Sequence, residues 1–267
     1  MRKFYDPGSG GKWGYAPAIL MSLFLILPVA AIFGKTLSGM AWMPFLSSTR
    51  VRESLYLSFK TSSICLGLVL LFGTPMAFLL SRRRFRGARV IETLLDLPMV
   101  LPPAVAGLGL LIAFGRRGWI GQWLDSLGIE IAFTQAAVVL AQVFVATPFY
   151  IRAAKAGFVS IDRELEQVAY TLGFSRFQTF LHVTVPLVLP AITAGSVMAW
   201  ARALGEFGAT IMFAGNLPGR TQTVPLAIYQ SMETGLDEPV ILSAVLILVS
   251  FAVLMTFRIA SEWNQDS

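Results

Sequence analysis

"ELEQVAYTLGFSRFQTFLHVTVPLVLP", from Glu164 to Pro190, interrupts a chain that is otherwise strongly apolar. Its first part is charged and amphipathic, a glycine closes that part, and Pro186 and Pro190 punctuate the return to apolar sequence. The spacing predicts a short helix. Ser160 or Asp162 supplies an N-cap, and Glu164 and Glu166 fall early, where the helix dipole favours acids. Ile161, Leu165, Val168 and Leu172 recur at helical spacing and form one apolar stripe. Gly173 suits the C′ position that ends helices.

The flanks of this stretch set the class. Hydrophobic residues make up 55% of the 267 and charged residues 13%, with a mean hydropathy of +0.69. Soluble domains carry about 25% charged residues, so this chain has too little charge to cover a water-facing surface. A helix needs about 20 mostly apolar residues to cross the hydrocarbon core, and its backbone pairs internally. Six runs qualify: Tyr15–Gly34, Leu55–Leu80, Ile91–Phe114, Thr134–Phe158, Pro186–Phe207 and Pro239–Ile259. The alternating strands of a membrane barrel are absent. The expected fold class is all-α integral membrane, with six transmembrane helices and a short helix on one side. Residues 1–50 read as a lead and first span, 51–258 as the membrane core and 259–267 as a short cytoplasmic tail.

Arg2, Lys3 and Lys12 precede the first run and "PVAA" lies within it, as in a secretory signal. The run is longer than the 7–15 apolar residues of a signal, roughly, so a span is the better reading. Cys65 is the lone cysteine and sits inside "SICLGLVLLFG", which leaves no disulfide framework and no thiolate metal site.

Net charge is +6, with much of it in short clusters between the runs. "SRRRFRGAR" carries Arg82, Arg83, Arg84, Arg86 and Arg89 without an acid, which marks a cytoplasmic connection. Both termini and the opening stretch then lie inside, and the connections Lys35–Arg52, Arg116–Phe133 and Ala209–Glu238 lie outside. Arg50, Arg52, Arg116 and Arg117 weaken that assignment without reversing it. No basic stripe is long enough for nucleic acid. An interfacial helix on anionic lipid would carry Lys and Arg on its polar face, whereas this one carries Glu164, Glu166 and Gln167. A protein partner fits that face better.

The stretch resembles the cytoplasmic loop of ATP-binding-cassette importer permeases: Glu-Ala-Ala, three residues, Gly, nine residues, then Ile-x-Leu-Pro. Gln167, Val168 and Ala169 occupy the first block, Gly173 the glycine, and Val183-Thr184-Val185-Pro186 the last. Glutamine replaces the leading acid, with Glu166 just before it. "ARALGEFGATIMFAGNLPGRTQTVPLAIY" (Ala201–Tyr229) and "DLPMVLPPAVAGLGLLIAFGRRGWIG" (Asp96–Gly121) resemble molybdate permeases, of which tungstate and sulfate permeases are close relatives. The resemblance runs from about Val51 to Arg258.

It implies a type I importer permease fold and a homodimer with the substrate path along the subunit interface. It also implies two cytoplasmic ABC ATPase subunits and a periplasmic or extracellular oxyanion-binding protein. Asp162, Leu165, Glu166, Gln167, Ala169 and Gly173 would form the coupling helix seated on the ATPase. The cargo would be molybdate, with tungstate and sulfate or thiosulfate as alternatives. No G-x-x-x-x-G-K-[ST] occurs, and "GKT" at Gly34–Thr36 lacks the first glycine, so ATP and Mg belong to the partner ATPase. This chain is expected to be no enzyme and to hold no cofactor or metal.

Arg202 and Glu206 share a helix face within the fifth run. Intramembrane charges usually face an interior or a wet cavity. With Gly205, Gly208 and Thr210 they either line the path or pair to hold helices together; both readings stand. Pro102 and Pro103 with Pro98 either form a flexible gate or simply kink the third run, and Gly107 and Gly109 permit close helix approach. Lys60 reads as a snorkelling residue near the outer edge. Asn216 and Arg220 in the last outer loop could dock the binding protein, although a solvated arginine is the commoner case. The lone histidine, His182, excludes H-E-x-x-H chemistry. A secondary transporter or channel would show inverted repeats with interrupted helices, and no internal symmetry is evident.

Overall fold

Lipid offers a backbone amide nothing to bond, so a chain this apolar satisfies its peptide groups within helices. The computed structural model describes residues 15–38, 48–82 and 86–263, with side chains described as far as 256. Arg2, Lys3, Lys12, Arg83 and Arg84, on which part of the charge reading rests, lie outside the described residues. In chain order the elements are α1 (Tyr15–Leu37), α2 (Thr49–Arg82), α3 (Ala88–Val100), α4 (Pro103–Phe114), α5 (Gly121–Ser126) and α6 (Gln135–Ser160). Then come α7 (Arg163–Thr171), α8 (Arg176–Thr179), a π-helical turn over Phe180–Thr184, α9 (Val185–Leu204), α10 (Gly208–Ala214), α11 (Val224–Ser231) and α12 (Asp237–Trp263).

Five segments among the described residues are long and apolar enough to cross a membrane unbroken: α1, α2, α6, the continuous run Arg176–Leu204, and α12. The third expected span is not one straight helix. α3 and α4 meet at an angle of 116°. The cause is local. Proline forces the preceding residue out of the helical region, so Leu101 and Pro102 take extended ψ values of 134° and 133°. The pair and the loop that follows it nevertheless contact both halves of α6. Glu92 and Asp96 of α3 pair with Lys155 and Arg152 near the C-terminus of α6. Beyond α4, the Phe133 amide reaches Phe213 O, and Gln135 at the start of α6 receives Lys60. Taken as one broken span, α3 and α4 bring the count among the described residues to six.

Three further boundaries differ from expectation. The fifth span begins at Arg176 rather than Pro186, because the π-turn keeps the helix continuous, and it breaks at Gly205 before α10. The Ala209–Glu238 connection contains α10 and α11. Finally, α12 continues to Trp263, past the expected tail boundary at 259.

Small residues decide how closely these helices pack. Tyr150 of α6 is wholly buried, and its hydroxyl shares a 2.5 Å hydrogen bond with Thr74 Oγ1 of α2. A Cβ on Gly73 of α2 would meet its ring at 2.8 Å, and one on Gly195 of α9 would meet its ring at 3.4 Å. Gly157 likewise admits Ala191 and Val188 of α9. Cys65, Val69 and Ala77 complete one face of α2 against this cluster. α2 is 34 residues long, roughly 51 Å at 1.5 Å per residue, which exceeds the ~30 Å hydrocarbon core. By contrast α1 packs against α12 and leaves nearly all its apolar side chains exposed.

Gly107 seals the joint between α4 and α10. A Cβ there would lie 2.6 Å from Ala209 O and 2.9 Å from Ala209 Cα, both backbone atoms that cannot swing aside. Gly107→Ala is expected to destabilise the protein by about 1–3 kcal/mol, read as a lower Tm in detergent. Gly109→Ala, where nothing lies within 4 Å, serves as the control and should leave Tm unchanged.

Candidate coupling and translocation site

α7 forms where the sequence places it. Asp162 is the N-cap, its Oδ1 accepting from the Glu164 amide at 3.0 Å. Gly173 adopts φ +89°, with its amide bonded to Tyr170 O and the Phe174 amide to Ala169 O, the paired bonds of a Schellman end. α8 follows immediately under a capping box between Ser175 and Gln178.

The rotation of α7 about its axis differs from that of an ordinary surface helix. Ala169 is buried, whereas Leu165, Val168 and Leu172 are 47%, 55% and 73% exposed. Phe174 and Phe177 continue the exposed apolar surface. Ile161 is buried just before the helix and leaves the stripe. Gln167 is exposed, but Glu166 does not share its wet face. Its Oε1 accepts from Arg82 Nη2 at 2.5 Å and from Thr184 Oγ1 at 2.9 Å. The expectation of an outward acidic face is therefore corrected: Glu164 and Gln167 point to water, and Glu166 ties the helix to the bundle. Arg82 read as a topology signal, and nothing local could reveal a partner 84 residues away.

The second expected cluster is brought together in part. Arg202 Nη1 lies 2.7 Å from Glu206 Oε2. Glu206 is 1% exposed, and its other oxygen accepts from the Ala209 amide at 2.8 Å, so it also caps α10. Gly205 is exposed at the break. Gly208 is a packing residue, since a Cβ there would lie 2.4 Å from Pro103 Cβ. Thr210 is fully buried and its hydroxyl finds no partner among the described residues. Pro102 and Pro103 thus sit at a real break, and Pro103 rests on the start of α10.

At the outer loop, Asn216 turns inward. Its Oδ1 accepts from Gln222 Nε2 at 2.9 Å, and that same nitrogen reaches Gln230 Oε1. An intramolecular amide network therefore occupies the residue expected to meet the binding protein, while Arg220 remains exposed. Lys60 donates to Gln135 Oε1 at 2.9 Å, more than the idle role expected of it. Arg116 pairs with Asp125 and Glu130, and its hydrogen bond to Asp125 leads in raising its pKa above the ordinary arginine value. His182 stacks near Phe174 at the start of the fifth span, with Nδ1 beside Gln178 O. The Glu92–Lys155 and Asp96–Arg152 pairs were missed in the sequence. Two acids four apart on one helix and two bases three apart on another were the available signal.

Such a molecule is a multi-pass membrane protein that presents an anchored helix with an apolar outer face at one end of its bundle. The chain matches the family described as "Binding-protein-dependent transport system inner membrane component" over residues 70–260, and it belongs to that family. It is 42% identical over 251 residues to the molybdenum transport system permease protein ModB of Mycobacterium tuberculosis, covering 94% of this chain and 95% of that one. It is 35% identical over 260 residues to the probable sulfate transport system permease protein cysT of Nephroselmis olivacea, covering 96% and 90%. Among solved structures, a bacterial ABC transporter involved in the import of the acidic polysaccharide alginate shares the fold. The TM-score is 0.70 at 17% identity, with 92% of each chain covered.

Removing one member of a buried ion pair leaves the other charge uncompensated, at a cost of about 3–5 kcal/mol. Arg202→Met is therefore expected to lower Tm strongly. Glu206→Gln keeps an acceptor for the Ala209 amide and should cost less. Equal stability of Arg202→Met and the parent protein would show that the pair locks nothing.

Proposed function

We propose that this chain is the permease subunit of an ATP-driven importer for a tetrahedral oxyanion, with molybdate the favoured cargo. One observation carries the reading: Leu165, Val168 and Leu172 face outward on a helix fixed from behind by Glu166. A water-facing helix that displays its apolar side is built to be covered. These 267 residues contain no phosphate-binding loop, so a partner ATPase, holding ATP and Mg, is the fitting cover. The name of the 42% identical relative supports molybdate, and the sulfate permease supports the alternative.

In this reading two copies of the chain form the membrane core and two ATPase subunits dock on α7 from the cytoplasm. Both termini lie on that side. A periplasmic or extracellular oxyanion-binding protein meets the opposite end, where Arg220 and the short α5 are exposed. ATP-driven closure of the ATPase pair displaces α7, and the spans rock between inward-open and outward-open forms. Molybdate, tungstate and sulfate share shape and charge, so the binding protein makes most of the distinction.

The purified permease, reconstituted in liposomes with its ATPase and binding protein, should hydrolyse ATP faster when the binding protein carries molybdate. Stimulation by sulfate-loaded protein alone would reassign the cargo. No stimulation by any loaded binding protein would overturn the importer reading in favour of a channel or secondary transporter.

A further inference from the structure

One carboxylate joins three elements at the Arg82 end of the bundle. Arg82 is the last residue of α2, Glu166 lies in the first turn of α7, and Thr184 closes the π-turn that leads into α9. Glu166 Oε1 receives both Arg82 Nη2, at 2.5 Å, and Thr184 Oγ1, at 2.9 Å. Little water reaches the site: the Arg82 and Glu166 side chains are 13% and 15% exposed, and Thr184 is 1% exposed. The Arg82 guanidinium also lies 5.8 Å from the Phe78 ring centroid. Phe78 in turn meets Phe158 of α6 and Phe180 of the π-turn edge to face, at 5.3 and 5.0 Å.

The chemistry of these contacts suits a joint better than a glue. Apolar contacts let helices slide, because sliding exchanges one such contact for another. A charge-assisted hydrogen bond is short and directional, and it resists displacement both along and across its axis. The site also accepts a polar cost, since Arg82 Nε is buried without a partner. The π-turn inserts one residue into the helical repeat and aims Thr184 at the carboxylate, and such bulges recur at functional sites. α7 thus divides its work between adjoining faces: Leu165, Val168 and Leu172 are exposed, and Glu166 looks in.

We propose that Arg82, Glu166 and Thr184 form the rigid joint through which displacement of α7 reaches α2 and the start of α9 together. All three are positioning residues for coupling; none touches nucleotide or cargo. This inference rests on the importer reading above. α2 and α9 also clasp Tyr150 from two sides, so a pull on both moves α2, α6 and α9 as one body.

The test uses the reconstituted complex with molybdate-loaded and empty binding protein. Thr184→Val removes the hydroxyl at constant shape, Thr184→Ser keeps it, and Glu166→Gln removes the charge. The double exchange of Arg82→Glu with Glu166→Arg restores the pair in reverse. The readouts are ATPase retained on the permease, KM for ATP, and the ratio of stimulated to unstimulated hydrolysis. Retention and KM should stay at parental values. Stimulation should fall about tenfold in Glu166→Gln and about threefold in Thr184→Val. Thr184→Ser should match the parent, and the exchange should recover stimulation relative to Glu166→Gln. Undiminished stimulation in every variant overturns the joint, and so does a fall that only tracks lost ATPase. If the parent complex is itself unstimulated by any loaded binding protein, the importer reading falls and the joint with it. A stimulated parent with unaffected variants removes the joint alone.

Discussion

Helices in lipid gain little by hiding apolar surface from one another, so they associate where small residues let backbones touch and where a few polar groups pair. Tyr150 is the clearest case here. Its ring fits against Gly73 on one side and Gly195 on the other, with its hydroxyl on Thr74. Gly157 brings α9 closer still. This clasp aligns α2, α6 and α9, and it gathers the C-terminus of α2, the C-terminus of α6 and the start of α9 at one end. The connection from Ile161 to Thr184 must then cross that end, and Glu166 meets Arg82 and Thr184 as a consequence.

Function follows from which side of α7 is left over. Glu166 and Ala169 are committed inward, while Leu165, Val168 and Leu172 along the adjoining stripe stay exposed. A second concentration of unusual groups lies deeper. Two spans break there, one at Leu101–Pro102 and one at Gly205–Phe207, and the breaks meet where Gly208 accepts Pro103. Glu206 bridges its break by pairing with Arg202 and capping α10. Broken helices free backbone groups for other work, which membrane proteins tolerate only inside protein or beside a wet cavity. The polar residues Arg202, Glu206 and Thr210 belong to that setting.

Much of this was legible in sequence because it is local. The N-cap at Asp162, the left-handed Gly173 and the break at Pro102 follow from side-chain chemistry within a few residues. The apolar runs followed from composition alone. What escaped was long-range. The partner of Glu166 lies 84 residues away, and the contacts of Asn216 with Gln222 and Gln230 depend on how the loop closes. The face of α7 was misjudged for the same reason. Periodicity shows that a stripe exists, but only packing decides which side of it is inward. At Gly208, where the sequence left path lining and helix packing both open, the small size serves Pro103.

The central claim is that the outward apolar face of α7 is covered by an ATPase. The most direct measurement places a photoreactive cross-linker on cysteines introduced singly at Val168 or Leu172 in the assembled complex, with Trp123→Cys near the far end as the comparison. The account predicts an adduct with the ATPase subunit from Val168→Cys and Leu172→Cys and none from Trp123→Cys. An assembled complex in which Val168→Cys and Leu172→Cys label only lipid, while Trp123→Cys labels the ATPase, would contradict it.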